Sequence, residues 1–515
     1  MQFDCILSGG TVITGVRDAP ASVTDVGITN GRISAIADLH DADATERVDV
    51  SGLCVTPGFI DTHIHSEALL LGDDLDRFDT LYQGVTTHLS APDGFGWARL
   101  EQPIAAQVWR QTQAIYGTVD SVTPYWPTVE AFRDAFRDRL PVNLLLQVPH
   151  HALRAEVMGF AKRAATNDEI ARMCQIANDW YASGAIGVAV GLDYLPGAWS
   201  DERELVALAQ VAQRHNTPIT AHLRRGTLGM RGAWEEMIRV GRAANARINF
   251  SHSTLDDELA TLASDARRDC DLGIDTYLYP AGCSLLLFVI PPRNQEPLDE
   301  YLAMMGTKAG YDAVVERFTH AFNTIWDPEA IVVAGSHTGQ FDGLTVSAVA
   351  KAMQCDAPQA AVDLLMQEQG DVLAIMHRDV TPEQFVINTQ LTVELDSAMI
   401  ASDGVYRGTR PHPRGWGTFV KVLREQVRER GTMTLETAIF KMTGLVAERY
   451  GLTDRGTLTI GSHADVVVFN PDTVGDNASW ADPKAQPSGI SRVYVNGTLA
   501  VHEGQLTGAT AGTVG

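Results

Sequence analysis

Hydrophobic positions follow two rhythms along this chain. At both ends they fall in short alternating runs broken by turn residues. Phe3–Leu7, Thr11–Thr14, Val26–Thr29 and Arg32–Ile36 are punctuated by Ser8-Gly9-Gly10 and Asn30-Gly31. Ala464–Phe469 and Arg492–Val495, the latter closed by Asn496-Gly497, repeat the style. Asn-Gly between alternating runs signals a β-hairpin. The middle instead alternates buried-strand runs with amphipathic stretches such as Asp201–Arg214 and Gly232–Ala244. The runs are Gly58–Ile64, Thr86–Ala91, Val142–Val148, Ala185–Gly191, Pro218–His222, Arg247–His252, Gly273–Tyr279 and Met399–Asp403. Eight such units over ~350 residues predict an α/β fold of the (β/α)8 barrel type. The expected organisation is a small β-sandwich domain built from 1–57 and 451–515 and a barrel over 58–450. The long separation of the seventh and eighth runs predicts an inserted subdomain at 283–350. The Gly/Thr/Ala-rich tail at 507–515 is expected to fray.

Composition narrows the function classes. The 515 residues are 45% hydrophobic and 20% charged, as in a folded globular chain. With 40 basic and 64 acidic residues the net charge is −24. Such a surface repels phosphate backbones and anionic lipid, which argues against nucleic-acid and membrane-surface roles. Six scattered cysteines form no CxxC pair, which points to a reducing compartment. The amino terminus does not read as a signal peptide, and no apolar run approaches ~18 residues. A cytoplasmic location is expected. A monomer and a homo-oligomer are equally compatible with the acidic surface.

Candidate chemistry sits where the strand-like runs end. His63-Ile64-His65 follows the first run, and positions i and i+2 of a strand face the same way. His222 closes the fifth run and His252 the sixth, while Asp403 follows the eighth. Barrel sites form at the C-terminal ends of strands, and neutral imidazole is a common zinc ligand. A metal ion there lowers the pKa of water to about 7, and a carboxylate can relay the proton. Asp403 is the candidate acid/base. No HExxH, P-loop, GxSxG or Rossmann glycine pattern competes.

These positions, with several longer stretches, resemble the amidohydrolase superfamily and within it the N-acyl-D-amino-acid deacylases (D-aminoacylases). The stretches are Pro57–His65, Gly84–Thr87, Gly191–Gly197, Tyr277–Gly282, Ser402–Gly404, Arg410–Phe419 and Gly461–Phe469. The resemblance implies a first metal pair, His63 and His65, and a tighter second site with His222 and His252. It also implies Asp403 as acid/base, with Arg414 and Tyr279 holding the substrate carboxylate. Two positions depart from the family pattern. Asp93 stands where a metal-binding Cys is common, so a harder, oxygen-rich site with Asp93 as ligand is expected. Thr254 stands where a Lys is common. Ser183–Pro196 lacks the Lys that dihydroorotases and hydantoinases use to bridge two metals. The expected activity is hydrolysis of small N-acyl-D-amino acids with one or two zinc ions, chirality resting on the resemblance alone. The alternatives are a cyclic-amide or carbamate hydrolase and a non-catalytic scaffold.

Overall fold

A computed structural model describes residues 2–117, 125–290 and 296–515. The two chain ends build one sheet. Phe3–Val12 pairs antiparallel with Ser22–Thr29 and parallel with both Ala44–Asp49 and Cys54–Pro57. Cys54–Pro57 then pairs antiparallel with Val466–Phe469, which carries the C-terminal strands Ile490–Val495 and Thr498–His502. Val55, Val466 and Val468 are fully buried here. Both Asn-Gly turns form with positive φ, Asn30 at 51° and Gly31 at 72°, Asn496 at 49° and Gly497 at 79°. The two turns meet, and a Cβ on Gly497 would lie 2.6 Å from the Gly31 Cα. Two expectations need correction. Ser8-Gly9-Gly10 does not turn the chain but sits inside one strand, where Gly9 at φ 75° allows a register shift between Leu7 and Gly10. The 507–515 tail does not fray. Thr513 and Gly515 accept backbone hydrogen bonds from Leu144 and Leu146, at 2.9 and 3.2 Å.

In the middle, short strands pair in parallel and in series. Phe59–Asp61 lies beside Val85–Leu89, and that beside Asn143–Leu145. Val148–Pro149, Val188–Gly191, Ile219–His222, Ile248–Phe250, Leu272–Thr276 and Ala398–Ile400 follow in order. Gly404–Val405 pairs with Ile64–His65, so the last strand's extension lies beside the first's. Every residue of these strands is buried, as expected of parallel strands covered on both faces. Helices intervene with clear start signals. Asp201 accepts from the Arg203 and Glu204 amides to cap Glu202–Arg214, and Thr166 with Glu169 forms a capping box on Asn167–Ala182.

Between Leu272–Thr276 and Ala398–Ile400 the chain makes a separate antiparallel sheet. Its order is Ala281–Leu285, Val372–His377, Ile331–Ser336, and a hydrophobic cluster of its own runs from Leu286 to Met376. Among the described residues no helix is long and apolar enough to cross a membrane.

A buried polar knot ties the terminal sheet to the parallel strands. Asp465 accepts from the Asn143 side chain at 3.2 Å, from the Asn496 amide at 2.8 Å and from Arg455. Asp465 and Arg455 are 5% and 8% exposed. Removing one partner of a buried pair strands the other charge. Asp465→Ala should therefore cost about 3–5 kcal/mol. A thermal melt followed by circular dichroism checks this, and an unchanged midpoint would sink it.

Candidate metal centre

The candidate side chains stand where parallel strands end. His63 and His65 flank the link from Phe59–Asp61 to Ile64–His65, and His222 is the last residue of its strand. Asp93 lies in the turn after Val85–Leu89, with backbone φ 56°. His252 at φ 38° and Asp403 at φ 49° follow their strands closely. Left-handed backbone is costly for such residues, roughly 1–3 kcal/mol each. Strong neighbours hold it in place. The His252 amide donates to Asp275 Oδ1 at 2.6 Å, and the Asp403 amide donates to the His63 carbonyl at 2.8 Å.

Sequence reasoning grouped His63, His65, Asp93, His222, His252 and Asp403, and the structure brings all six together. Asp93 Oδ1 lies 3.2 Å from His222 Nδ1, 3.3 Å from His63 Nε2 and 3.4 Å from His252 Nε2. His222 Nδ1 and His252 Nε2 are 2.9 Å apart. Asp403 Oδ1 is 3.4 Å from His65 Nε2 and 3.6 Å from His63 Nε2. None of the six is more than 7% exposed. Two triads, His63–Asp93–His252 and His63–His65–Asp403, each gather their ligand atoms within 4.8 Å.

The electrostatics call for a cation at this point. Burial resists charging of His63, yet Asp93, Asp275 and Asp403 outweigh it and raise its pKa to about 10. Burial would also push the Asp93 carboxyl up, but the His222 and His63 imidazoles hold it well below the usual carboxylate range. His252 is pushed down to about 3, chiefly by burial, which leaves it the neutral imidazole that ligates metals. His63 Nε2 and Asp93 Oδ1 face each other buried and without a hydrogen bond. A divalent ion among these atoms would satisfy both at once, so the residues fit one. Outer partners orient the rings. His65 Nδ1 meets the Tyr116 hydroxyl at 3.2 Å, and His222 Nε2 lies 3.6 Å from Asp193 Oδ2, which leaves Nδ1 turned to the centre.

The centre opens on a cavity of about 260 Å³. Asp93, His222, His252 and Asp403 form its floor, and Tyr194, Phe288, Trp326 and Met376 give it apolar walls. The two remaining predicted residues are placed differently from expectation. Neither Arg414 nor Tyr279 lines the cavity. Arg414 is wholly buried, 2.8 Å from Asp403 Oδ2, though none of its three nitrogens makes a well-aligned hydrogen bond. The Tyr279 hydroxyl is tucked beside Gly417, with Lys421 over its ring. The residue at the wall is Tyr277, whose ring stacks 4.5 Å from the Arg414 guanidinium. The strand stops at Thr276, so period-two reasoning could not choose between the two tyrosines. Arg225 and Arg378 also line the cavity, and neither carries a sequence signal for that place.

Imidazoles and carboxylates converging at the C-terminal ends of parallel strands define the class, an α/β protein built around a metal centre. The chain belongs to the amidohydrolase family, whose model matches residues 46–501. It is 33% identical to the D-aminoacylase of Alcaligenes xylosoxydans xylosoxydans, over 99% of this chain and 97% of that one. It is 32% identical to the N-acyl-D-aspartate deacylase of the same organism, over 99% and 94%. A solved structure of N-acyl-D-glutamate deacylase from Bordetella bronchiseptica, complexed with zinc and a phosphonate inhibitor, is 30% identical. It superposes with a TM-score of 0.83 over 100% of this chain and 99% of that one.

Asp93→Ala should abolish retention of zinc by the purified chain after gel filtration. Asp193→Asn should weaken zinc affinity about 10- to 100-fold. Competition with a chromophoric chelator measures both, and wild-type affinity in Asp93→Ala would remove Asp93 from the centre.

Proposed function

We propose that this chain is a zinc-dependent deacylase of N-acyl-D-amino acids. Water cleaves a linear amide to a carboxylate and a free amine. The reading is carried by one observation, the buried cluster of four histidines with Asp93 and Asp403. Relatives named as D-aminoacylase and N-acyl-D-aspartate deacylase along nearly the whole chain support it. The parallel series supports a (β/α)8 barrel over 58–450. The joined ends support a small β domain of 1–57 and 451–515, and the antiparallel sheet supports an inserted subdomain.

Asp93, His222 and His252 would hold the tighter-bound ion, with His63 and His65 offering the other place. A bound zinc ion supplies Lewis acidity, which polarises an amide carbonyl and lowers the pKa of water to about 7. The protein's own part centres on Asp403. Its Oδ1 faces the histidines and its Oδ2 faces Arg414. Burial works against ionising this carboxyl, but Arg414 and His65 overcome it and keep Asp403 charged. Oδ1 is thus free to take a proton from the attacking water and hand it to the departing nitrogen. Arg414 keeps that carboxylate pointed at the reacting atoms. The apolar walls suit an acyl chain and exclude bulk water.

Amine release from matched N-acetyl-D- and N-acetyl-L-amino acids tests the reading, with a cyclic ureide alongside. Release from the D series alone is expected. Turnover of the ureide alone would overturn the proposal. Asp403→Asn should keep its metal and lose about 10²–10⁴-fold in kcat.

A further inference from the structure

One buried carboxylate beside the metal centre takes no part in the chemistry above. Glu67 stands two residues beyond His65, at the start of the short helix Glu67–Leu71, and is 3% exposed. We infer that Glu67 is a positioning residue serving both halves of the metal centre: it anchors the turn that carries Asp93 and, through the Tyr116 hydroxyl, fixes which nitrogen of His65 bears the proton. This rests on the reading of the cluster as a zinc centre. The first link is to Asp93. Glu67 Oε1 accepts from the Ala91 amide at 2.5 Å. Ala91 and Asp93 both adopt left-handed φ, 60° and 56°, on either side of Pro92, which has no N–H to donate. The Gly94 amide closes the turn on the Ala91 carbonyl at 3.0 Å. The bond to Glu67 therefore holds this strained turn at its first residue.

The second link is to His65. Tyr116 closes the helix Gln102–Tyr116, and its ring packs against Phe95 and Trp97, with centroids 6.1 and 4.8 Å away. Its hydroxyl is 3.2 Å from His65 Nδ1. The Glu67 carboxylate lies beside the same hydroxyl; burial first, and then Glu67, raise the pKa of Tyr116 well above its ordinary value. Glu67 Oε2 is buried and has no well-aligned donor of its own. Proton counting sets the direction of this chain of contacts. A ligating imidazole is neutral and has one N–H. His65 Nε2 faces the centre, 3.4 Å from Asp403 Oδ1 and 3.7 Å from Asp93 Oδ2, and it is bare only when Nδ1 holds the proton. Nδ1–H then donates to the Tyr116 oxygen, and the hydroxyl's own proton needs another acceptor. An ionised carboxylate only accepts, so Glu67 receives that hydroxyl and rules out the reverse order.

The test reverses one hydrogen bond while keeping the side chain's shape. In Glu67→Gln the amide oxygen still accepts from Ala91, but the NH2 group donates to Tyr116. The hydroxyl then donates to His65 Nδ1 and drives the proton to Nε2, against the ion. Tyr116→Phe removes the relay and leaves the ring without a forced tautomer. Zinc is titrated against a chromophoric chelator into metal-free wild type, the two single variants and the double variant. The pH is held well above about 7, the value to which burial raises the Glu67 carboxyl. Glu67→Gln should weaken the most weakly held zinc ion about 10- to 100-fold. Tyr116→Phe should weaken it less, and the double variant should recover to the level of Tyr116→Phe. Recovery is the decisive readout, because losing a second side chain does not repair a misfolded centre. Unchanged zinc affinity in Glu67→Gln overturns the proposal. So does a double variant weaker than either single one, which would leave Glu67 acting by packing alone. A wild type that takes up no zinc would sink the zinc-centre reading itself, and this proposal with it.

Discussion

One carboxylate oxygen, Asp93 Oδ1, has three imidazole nitrogens within 3.4 Å and belongs to a buried side chain. Unpaired charge in such a place costs several kcal/mol, so the cluster is stable only with positive charge at its centre. A proton on His63 supplies one unit, and a divalent ion supplies two and satisfies the atoms left without hydrogen bonds. Much of the surrounding structure serves to hold these side chains together against their own electrostatics. Asp275 grips the His252 backbone, Ser402 donates to Asp61, and Tyr116 meets His65.

The backbone shows what that costs. Asp93, His252 and Asp403 all adopt left-handed φ, and each comes shortly after a parallel strand. Such conformations persist where neighbouring structure over-determines them. Paired strands, buried on all sides, are rigid enough to do so. The positive φ at Asp403 is locked by the hydrogen bond its backbone N–H donates to the His63 carbonyl, which joins the last strand to the first. Strain, converging donor atoms and strand pairing therefore fall on the same few residues.

This coincidence explains what could be read from the sequence. His63, His65, His222, His252 and Asp403 were legible because each ends a run of buried apolar residues, and burial periodicity marks strand ends directly. Asp93 was legible by its place in a motif. Tyr277 was not separable from Tyr279, because both lie past the strand end, where no period tells inside from outside. Arg378 carried no signal, because its position depends on how a long insertion folds back. At the chain ends, Asn30-Gly31 and Asn496-Gly497 read correctly as tight turns, since both residues tolerate positive φ. Gly9-Gly10 misled for the same reason: glycine that permits a turn also permits a bulge. The tail misled because its anchor is backbone pairing with Leu144 and Leu146, which needs no side-chain pattern.

The division of labour between the two layers follows from these constraints. The strand ends carry imidazoles and carboxylates whose donor atoms gather, in two triads, to within 4.8 Å of one another, and they leave little freedom to vary. Arg414 is drawn into that commitment, because Asp403 needs a buried cation to stay charged and aligned. A substrate that brings a carboxylate would compete for the same guanidinium and would weaken the hold on Asp403. The antiparallel sheet is divided in the same way, because one part packs on a hydrophobic cluster of its own while Ala281, Leu285, Leu373 and Ile375 join the core shared with the parallel strands.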